Sequence, residues 1–238
     1  PGRAGTLGGM DVRCFTVGQI QENCYVFRRP GADTGLIVDP GEEPDRLLGA
    51  LEQLGIKKLE AILLTHCHFD HIGAVAPVAR ATGAPVYCPE LEVAVLADIN
   101  SYVPWPGFGP YESYEADHTV AGGEKLELAG FGIDVLFTPG HSPGHVTYAL
   151  PAEGALFSGD VLFRGSVGRV DLPDTERVAP NPDIRVELPG GDWGTLLESI
   201  RKLLDAYPDE TTVYPGHMGV TTLGAERATN PFLAELAG

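Results

Sequence analysis

The stretch LLTHCHFDHIGA, residues 63–74, puts three of the chain's seven histidines into six residues, with an aspartate among them. It overlaps the end of an apolar run, LEAILL at 59–64, which reads as a strand buried on both faces. His66 and His68 stand two residues apart at the end of that strand. In extended chain this spacing turns both side chains to one face, aimed at one point. Asp70 and His71 follow where the chain turns into a helix, and so address a second point nearby. A polar helix start with surface histidines needs no such crowding, whereas a pair of metal ions about 3.5–4 Å apart does.

Working outward, the remaining donors occupy equivalent places. His141 lies in FTPGHSPGH after the run IDVLF, Asp160 in LFSGD after ALF, and His217 in TVYPGH after TVY. Each stands at the carboxyl end of an apolar strand, where rigid scaffolding meets an open loop. Together with the cluster they make five imidazoles and two carboxylates, a set suited to zinc and tolerable for iron or manganese.

The rest of the pattern alternates strands and helices. Strands at 12–17, 24–28 and 35–39 precede a helix that starts near Pro44 and carries Leu47, Leu48, Leu51 and Leu54 at helical spacing. Beyond the histidines come a helix over 72–81 closed by Gly83, a strand PVYC, and a helix over 90–100. Residues 101–120, rich in Pro, Gly and aromatic side chains, read as a long loop holding His118 in an exposed acidic stretch. Its Trp105, Phe108, Tyr111 and Tyr114 line an acyl pocket, form a subunit contact, or wrap the core. Strands at 125–128, 133–137, 146–150 and 155–158, a helix over 193–206 and a strand at 211–214 follow. No composition shift divides the chain, so residues 10–238 read as one domain of two packed sheets with helices outside. Residues 1–9 read as a flexible leader or expression remnant.

Bulk properties exclude several classes. With 43% hydrophobic and 21% charged residues in 238, the chain has the makings of an ordinary globular core. No apolar run reaches the roughly 20 residues of a membrane helix, and the first ten residues lack the apolar core of a signal peptide. A net charge of −17 opposes a nucleic-acid partner, and bound cations would offset part of it. Cys14, Cys24, Cys67 and Cys88 form no CxxC pair and are expected as reduced thiols of a cytoplasmic protein. Cys14, Cys24 and Cys88 fall in strand-like runs as small core residues. Cys67, between two histidines, points to the opposite face.

In order along the chain, Asp39, then His66, His68, Asp70 and His71, then His141, Asp160 and His217 resemble the pattern of the metallo-β-lactamase superfamily: an early Asp, HxHxDH, His, Asp, His. The resemblance runs from about residue 10 to the last. It implies an αββα sandwich of two mixed β-sheets flanked by helices, with a dinuclear site between the sheet edges. It further implies that His66, His68 and His141 hold one divalent ion, that Asp70, His71 and His217 hold a second, and that Asp160 bridges both. Asp39 would then sit behind the ligands and orient one of them. His145, four residues after His141, would support or pack.

Four further stretches, VGQIQENCYVF, FRGSVGRVDLP, GGDW and ERATNPFL, resemble the short glyoxalase II-like group of hydroxyacylglutathione hydrolase-type thioesterases. That implies a small-molecule thioester substrate, such as an S-(2-hydroxyacyl) thiol. Asp70 and Asp160 would be the catalytic carboxylates within the metal set, and a homodimer is compatible. His68 argues against the flavo-diiron branch, which carries Glu there, and Asp160 against the true β-lactamases, which carry Cys or Ser. The nucleases carry a large extra domain and want a basic surface. An iron-dependent persulfide dioxygenase shares all the positions and is the main rival, ahead of a lactonase or a non-catalytic metal-binding module.

The grip of longer glyoxalase II enzymes on glutathione does not carry over, because SVGRVDLP replaces their Lys/Tyr-bearing stretch. Arg164 and Arg169 are the candidates to pair with a substrate carboxylate, or else clamp an acid such as Asp171. DTERVAPNPDIRVELP, residues 174–189, reads as an inserted loop that caps the pocket, forms a subunit contact or is simply solvated.

Overall fold

A computed structural model gives the structure and describes residues 4–7, 9–103, 105–170 and 191–233. The first sheet holds β1 (Ala4–Leu7), β2 (Met10–Val17), β3 (Glu22–Arg28), β4 (Thr34–Val38), β5 (Lys58–Leu63), β6 (Val86–Pro89) and β7 (His118–Val120), in that spatial order. Pairing is antiparallel from β1 to β4 and parallel from β4 to β7. Helices α1 (Pro44–Gln53), α2 (Phe69–Ile72), α3 (Val75–Thr82) and α4 (Val93–Ala97) connect its later strands.

The second half begins with β8 (Lys125–Leu128), β9 (Phe131–Phe137), β10 (Val146–Leu150) and β11 (Ala155–Gly159). A separate hairpin follows, of β12 (Leu162–Phe163) and β13 (Ser166–Val167). Then come α5 (Trp193–Ala206), β14 (Thr212–Pro215), β15 (Thr221–Thr222) and α6 (Leu223–Thr229). The second sheet runs β15-β14-β11-β10-β9-β8, with only β11 and β14 parallel. Both sheets are therefore mixed.

Strand alternation explains the layering. In β3, Cys24 and Val26 turn to a cluster with Leu47 and Leu51 of α1 and Val75 and Val78 of α3. Tyr25 and Phe27, on the other face, meet Phe131, Phe157 and Tyr214 of the second sheet. Phe27 stacks on Phe157 at 4.7 Å between ring centroids. Truncating such a buried aromatic costs on the order of 3–5 kcal/mol. β5 divides likewise, Ile62 outward and Ala61 and Leu63 inward, which is why its run is apolar at nearly every position. On the far side Leu156 and Val213 pack under Leu196, Ile200 and Leu203 of α5. The result is the expected αββα sandwich. Asp192 caps α5 by accepting the Thr195 N–H at 2.7 Å, and Pro44 opens α1 where its missing N–H is harmless.

Three expectations need correction. Ala4–Leu7 pair with β2 from Ala4↔Arg13 to Leu7↔Met10, so this part of the supposed leader is an edge strand. The helix over 72–81 is two helices, because Ala74 N–H bonds Pro40 O at 3.0 Å and Gly73 packs against Gly41 O and the Tyr111 ring. The helix over 90–100 breaks into a 3-10 turn (Glu90–Glu92), α4, and a second 3-10 turn (Ile99–Tyr102), the backbone leaving helical angles at Glu92 (φ −113°, ψ 0°) and at Asp98 (φ −147°, ψ 62°). His118, exposed as expected, opens β7. Residues 174–189 and Asp171 lie outside the described residues.

Candidate metal centre

The donors collect along the seam where the two sheets meet, at the carboxyl ends of their strands. The first sheet brings Asp39 after β4 and His66, His68, Asp70 and His71 after β5. The second brings His141 after β9, Asp160 after β11 and His217 after β14. Two groups of three form: His66, His68 and His141, and Asp70, His71 and His217. Within each, the donor atoms all lie within 4.8 Å of one another. Asp160 reaches both, with Oδ2 3.3 Å from His141 Nε2 and 3.5 Å from His217 Nε2, and Oδ1 3.5 Å from His71 Nε2.

Hydrogen bonds fix which nitrogen three of the rings offer. Thr65 spends its one hydroxyl proton on Asp39 Oδ2 at 2.6 Å, so His66 Nδ1, 3.1 Å from the same hydroxyl, is the donor there. His66 Nε2 is left with its lone pair, 3.1 Å from His68 Nδ1. His141 Nδ1 donates to the Arg169 carbonyl at 2.7 Å, and His71 Nδ1 faces Asp39 Oδ2 at 3.1 Å, which frees Nε2 in both. A further combination of Asp39, His66 and His71 also satisfies the spacing. Asp39, however, is already engaged: Oδ1 accepts the Thr65 N–H at 2.7 Å and Oδ2 serves Thr65 and His71. It holds this place with φ 48°, a left-handed conformation Asp tolerates better than most residues.

His145 supports from behind. It is fully buried, accepts the Asp160 N–H through Nε2 at 3.0 Å, and must then donate from Nδ1 to Thr138 Oγ1 at 3.1 Å.

What these atoms face tests whether metal fits. His71 Nε2, His141 Nε2 and Asp160 Oδ1 are buried without a hydrogen-bond partner. A buried lone pair left unsatisfied is costly, and three of them converging with further imidazoles is the chemistry of a cation site. Gly216 keeps the space open, since a Cβ there would overlap the Asp160 carboxylate and the His71 ring.

The two groups differ electrically. Burial holds His66 well below the usual histidine range and His68 down to about 3, with the neighbouring imidazoles adding to the effect. Burial also works against charge on His71 and His217, but Asp160 and Asp70 outweigh it and raise both. Reciprocally, Asp160 is buried yet held well below the carboxylate range by His217, His71 and His141, and Asp70 is lowered against its burial by His71 and His217.

A cleft of about 550 Å³ opens onto the donors, walled by Ile20, Phe69, Trp105, Phe163, Val167 and Met218. Arg169 lines it, whereas Arg164 sits on the exposed turn between β12 and β13, beside Gly219. Trp105 thus faces the cleft, and Phe108 and Tyr111 gather around Phe69 at 5.0 and 5.9 Å. Cys67 points away, its Sγ 3.5 Å from Cys88 Sγ; all four thiols are free, with Cys24 and Cys88 buried and Cys14 half-buried.

Several contributors carry no sequence signal of their own. Asn23 Nδ2 bonds Pro215 O and Met218 O at 3.1 and 2.8 Å, and the Tyr25 hydroxyl bonds Pro215 O at 2.8 Å. These two first-sheet residues pin the His217 loop of the second sheet. Glu22 is buried, with Oε1 3.8 Å from His71 Nδ1. Burial pushes its carboxyl well above the usual range. Glu92 tethers the loops of His66 and His141. Only their position in the fold reveals them, although Glu22, Asn23 and Tyr25 fall inside the stretch VGQIQENCYVF.

Comparison with known proteins extends these observations. Hydroxyacylglutathione hydrolase GloC of Haemophilus influenzae is 31% identical over 226 residues, covering 94% of this chain and 98% of that protein. Among solved structures, the B3 metallo-beta-lactamase BLEG-1 superposes with a TM-score of 0.80 at 37% identity, over 94% of this chain and 99% of that one. TTHA1623, solved in a di-iron-bound form, gives a TM-score of 0.75 at 40% identity, over 92% and 99%. No helix among the described residues is long and apolar enough to cross a membrane. The family description "Metallo-beta-lactamase superfamily" matches residues 17–217, from the end of β2 to the last histidine of the site, and the chain belongs to that superfamily.

Proposed function

We propose that the protein is a dinuclear metal-dependent hydrolase of thioesters, acting on S-(2-hydroxyacyl) thiols. The observation that carries the reading is the convergence of five imidazoles and two carboxylates, with inward-facing atoms left unpartnered, on the floor of an apolar cleft. In this reading His66, His68 and His141 hold one ion, Asp70, His71 and His217 the other, and Asp160 reaches both. Two divalent ions bound there would polarise a carbonyl oxygen and lower the pKa of a water towards neutrality. Zinc is the first metal to test and iron the second, given the di-iron relative.

The chain's own residues do the rest. Asp39 and the Arg169 carbonyl each take the outer N–H of a histidine and so aim its Nε2 inward. Phe69, Trp105 and Phe163 would keep bulk water from the acyl group, and Arg169, on the cleft wall, would pair with a substrate carboxylate. A thiol of pKa about 8.5 leaves as thiolate without a dedicated acid, which suits a site whose carboxylates Asp70 and Asp160 are both engaged. The likeness to GloC supports the thioester class. The free thiols suit a reducing, cytoplasmic setting.

The test is hydrolysis of S-lactoylglutathione by zinc-loaded protein beside a chelated sample. Turnover that disappears with the metal is expected. A fully loaded protein that leaves this thioester intact but opens a chromogenic β-lactam, or consumes oxygen on a persulfide, would overturn the reading. The likeness to BLEG-1 makes the β-lactam arm necessary.

A further inference from the structure

We infer that Glu92 is a positioning residue that sets the distance between His141 and the His66–His68 pair, and thereby the affinity of that group for its ion. The inference rests on the two-metal reading above. Glu92 ends the 3-10 turn after β6 and is 3% exposed. Its carboxylate takes three protein donors: the Cys67 N–H on Oε2 at 2.8 Å, and on Oε1 the Ser142 hydroxyl at 2.5 Å and the Gly144 N–H at 3.0 Å. Cys67 is the residue between His66 and His68, and Ser142 is the residue after His141. One rigid, planar group thus grips the backbone between His66 and His68 and, just beyond His141, the Ser142 hydroxyl and the Gly144 N–H.

The grip crosses the seam, because Glu92 and Cys67 follow strands of the first sheet while Ser142 and Gly144 lie between two strands of the second. Gly144 belongs to this arrangement, since a Cβ there would overlap the Glu92 side chain. The second group is not tied this way; its loop from the second sheet is held by Asn23 and Tyr25.

Glu92→Gln tests the assignment with little change of volume. The amide offers one acceptor oxygen and one donor nitrogen, so it cannot accept from both the Cys67 and Gly144 N–H groups. Zinc would be titrated into metal-free wild type and variant against a competing chelator. Cobalt loading would record the visible band of each site, and the thermal midpoint of the metal-free form would be taken alongside.

The expected result is a 10- to 100-fold weaker affinity for one of two equivalents, the range for losing a group that orients a ligand, with the other unchanged and one cobalt band shifted. Ser142→Ala, which keeps both backbone ties, should show the same one-sided loss at a few-fold, and it carries the test if the glutamine variant does not fold. Wild-type affinities and spectra in a variant whose midpoint alone has dropped would make Glu92 a fold-stabilising residue only, and overturn the inference. Failure of the underlying reading looks different: wild type itself would then bind no zinc, and both would fall together.

Discussion

The two donor groups are built to one plan and charged differently. Each takes two donors from the segment after β5, the loop in one case and α2 in the other, and one from the second sheet: His66, His68 and His141 in one, Asp70, His71 and His217 in the other. The first is all imidazole, and burial holds His66 and His68 well down the pH scale. The second contains Asp70, lies beside Asp160, and keeps its histidines inclined to be protonated. Equal geometry therefore does not mean equal affinity. Protons compete with a cation at the second group under conditions where they leave His66 and His68 alone.

That contrast can be broken or sharpened in three ways. The largest effect is expected from Asp160→Ala, which removes the carboxylate facing both groups. Uptake of the second equivalent and thioester turnover should fall by more than about 100-fold, beyond the range for an outer partner; metal analysis and a hydrolysis assay check this, and near-normal values would remove Asp160 from the shared position.

Next comes pH. Because the histidines of the second group are raised, lowering pH from 8 to 6 adds a competing proton. It should weaken that equivalent by about tenfold per unit for each histidine that must shed one. His66 and His68, lowered, stay unprotonated over the same interval, so two of the three donors of the first group meet no added proton and the first equivalent should be lost later than the second. Metal retained after dialysis at each pH reads this out, and simultaneous loss of both ions would erase the distinction.

The smallest effect is expected from Asp39→Asn, which weakens the partner of His71 Nδ1 and leaves the donors in place. About a tenfold loss at the second equivalent is the outcome, at the low end for such partners, with a smaller loss at the first, which Asp39 reaches only through Thr65; chelator competition measures both.

How much of this the residues announced depends on how local each feature is. The apolar run before His66 and the HxHxDH spacing are contiguous, so the strand, the turn into a helix and the two aiming points could all be read from one stretch. His141, Asp160 and His217 each follow an apolar run, which marks a strand end without any knowledge of its neighbours. Glu92 was legible only as one more polar residue in an expected helix; its partners lie 25, 50 and 52 residues away, and nothing in the local pattern predicts that it turns inward. Asn23 and Tyr25 pose the same difficulty, with partners some 190 residues distant. Ala4–Leu7 escaped because a four-residue strand is defined by the edge it joins and not by its own periodicity. Arg164 and Arg169 were equivalent in sequence, and only the β12–β13 turn separates the one that lines the cleft from the one that does not.

Since neither donor trio is complete within one sheet, no ion can be gripped by a full set until the halves have docked. A bound cation then acts as a latch thrown last, one that a half-assembled chain cannot close. At a free concentration 100 times its dissociation constant, an ion that binds only the finished molecule adds about 2.7 kcal/mol of stability. Starvation for metal would show first as a shorter lifetime of the protein against proteolysis, before any question of catalysis arises.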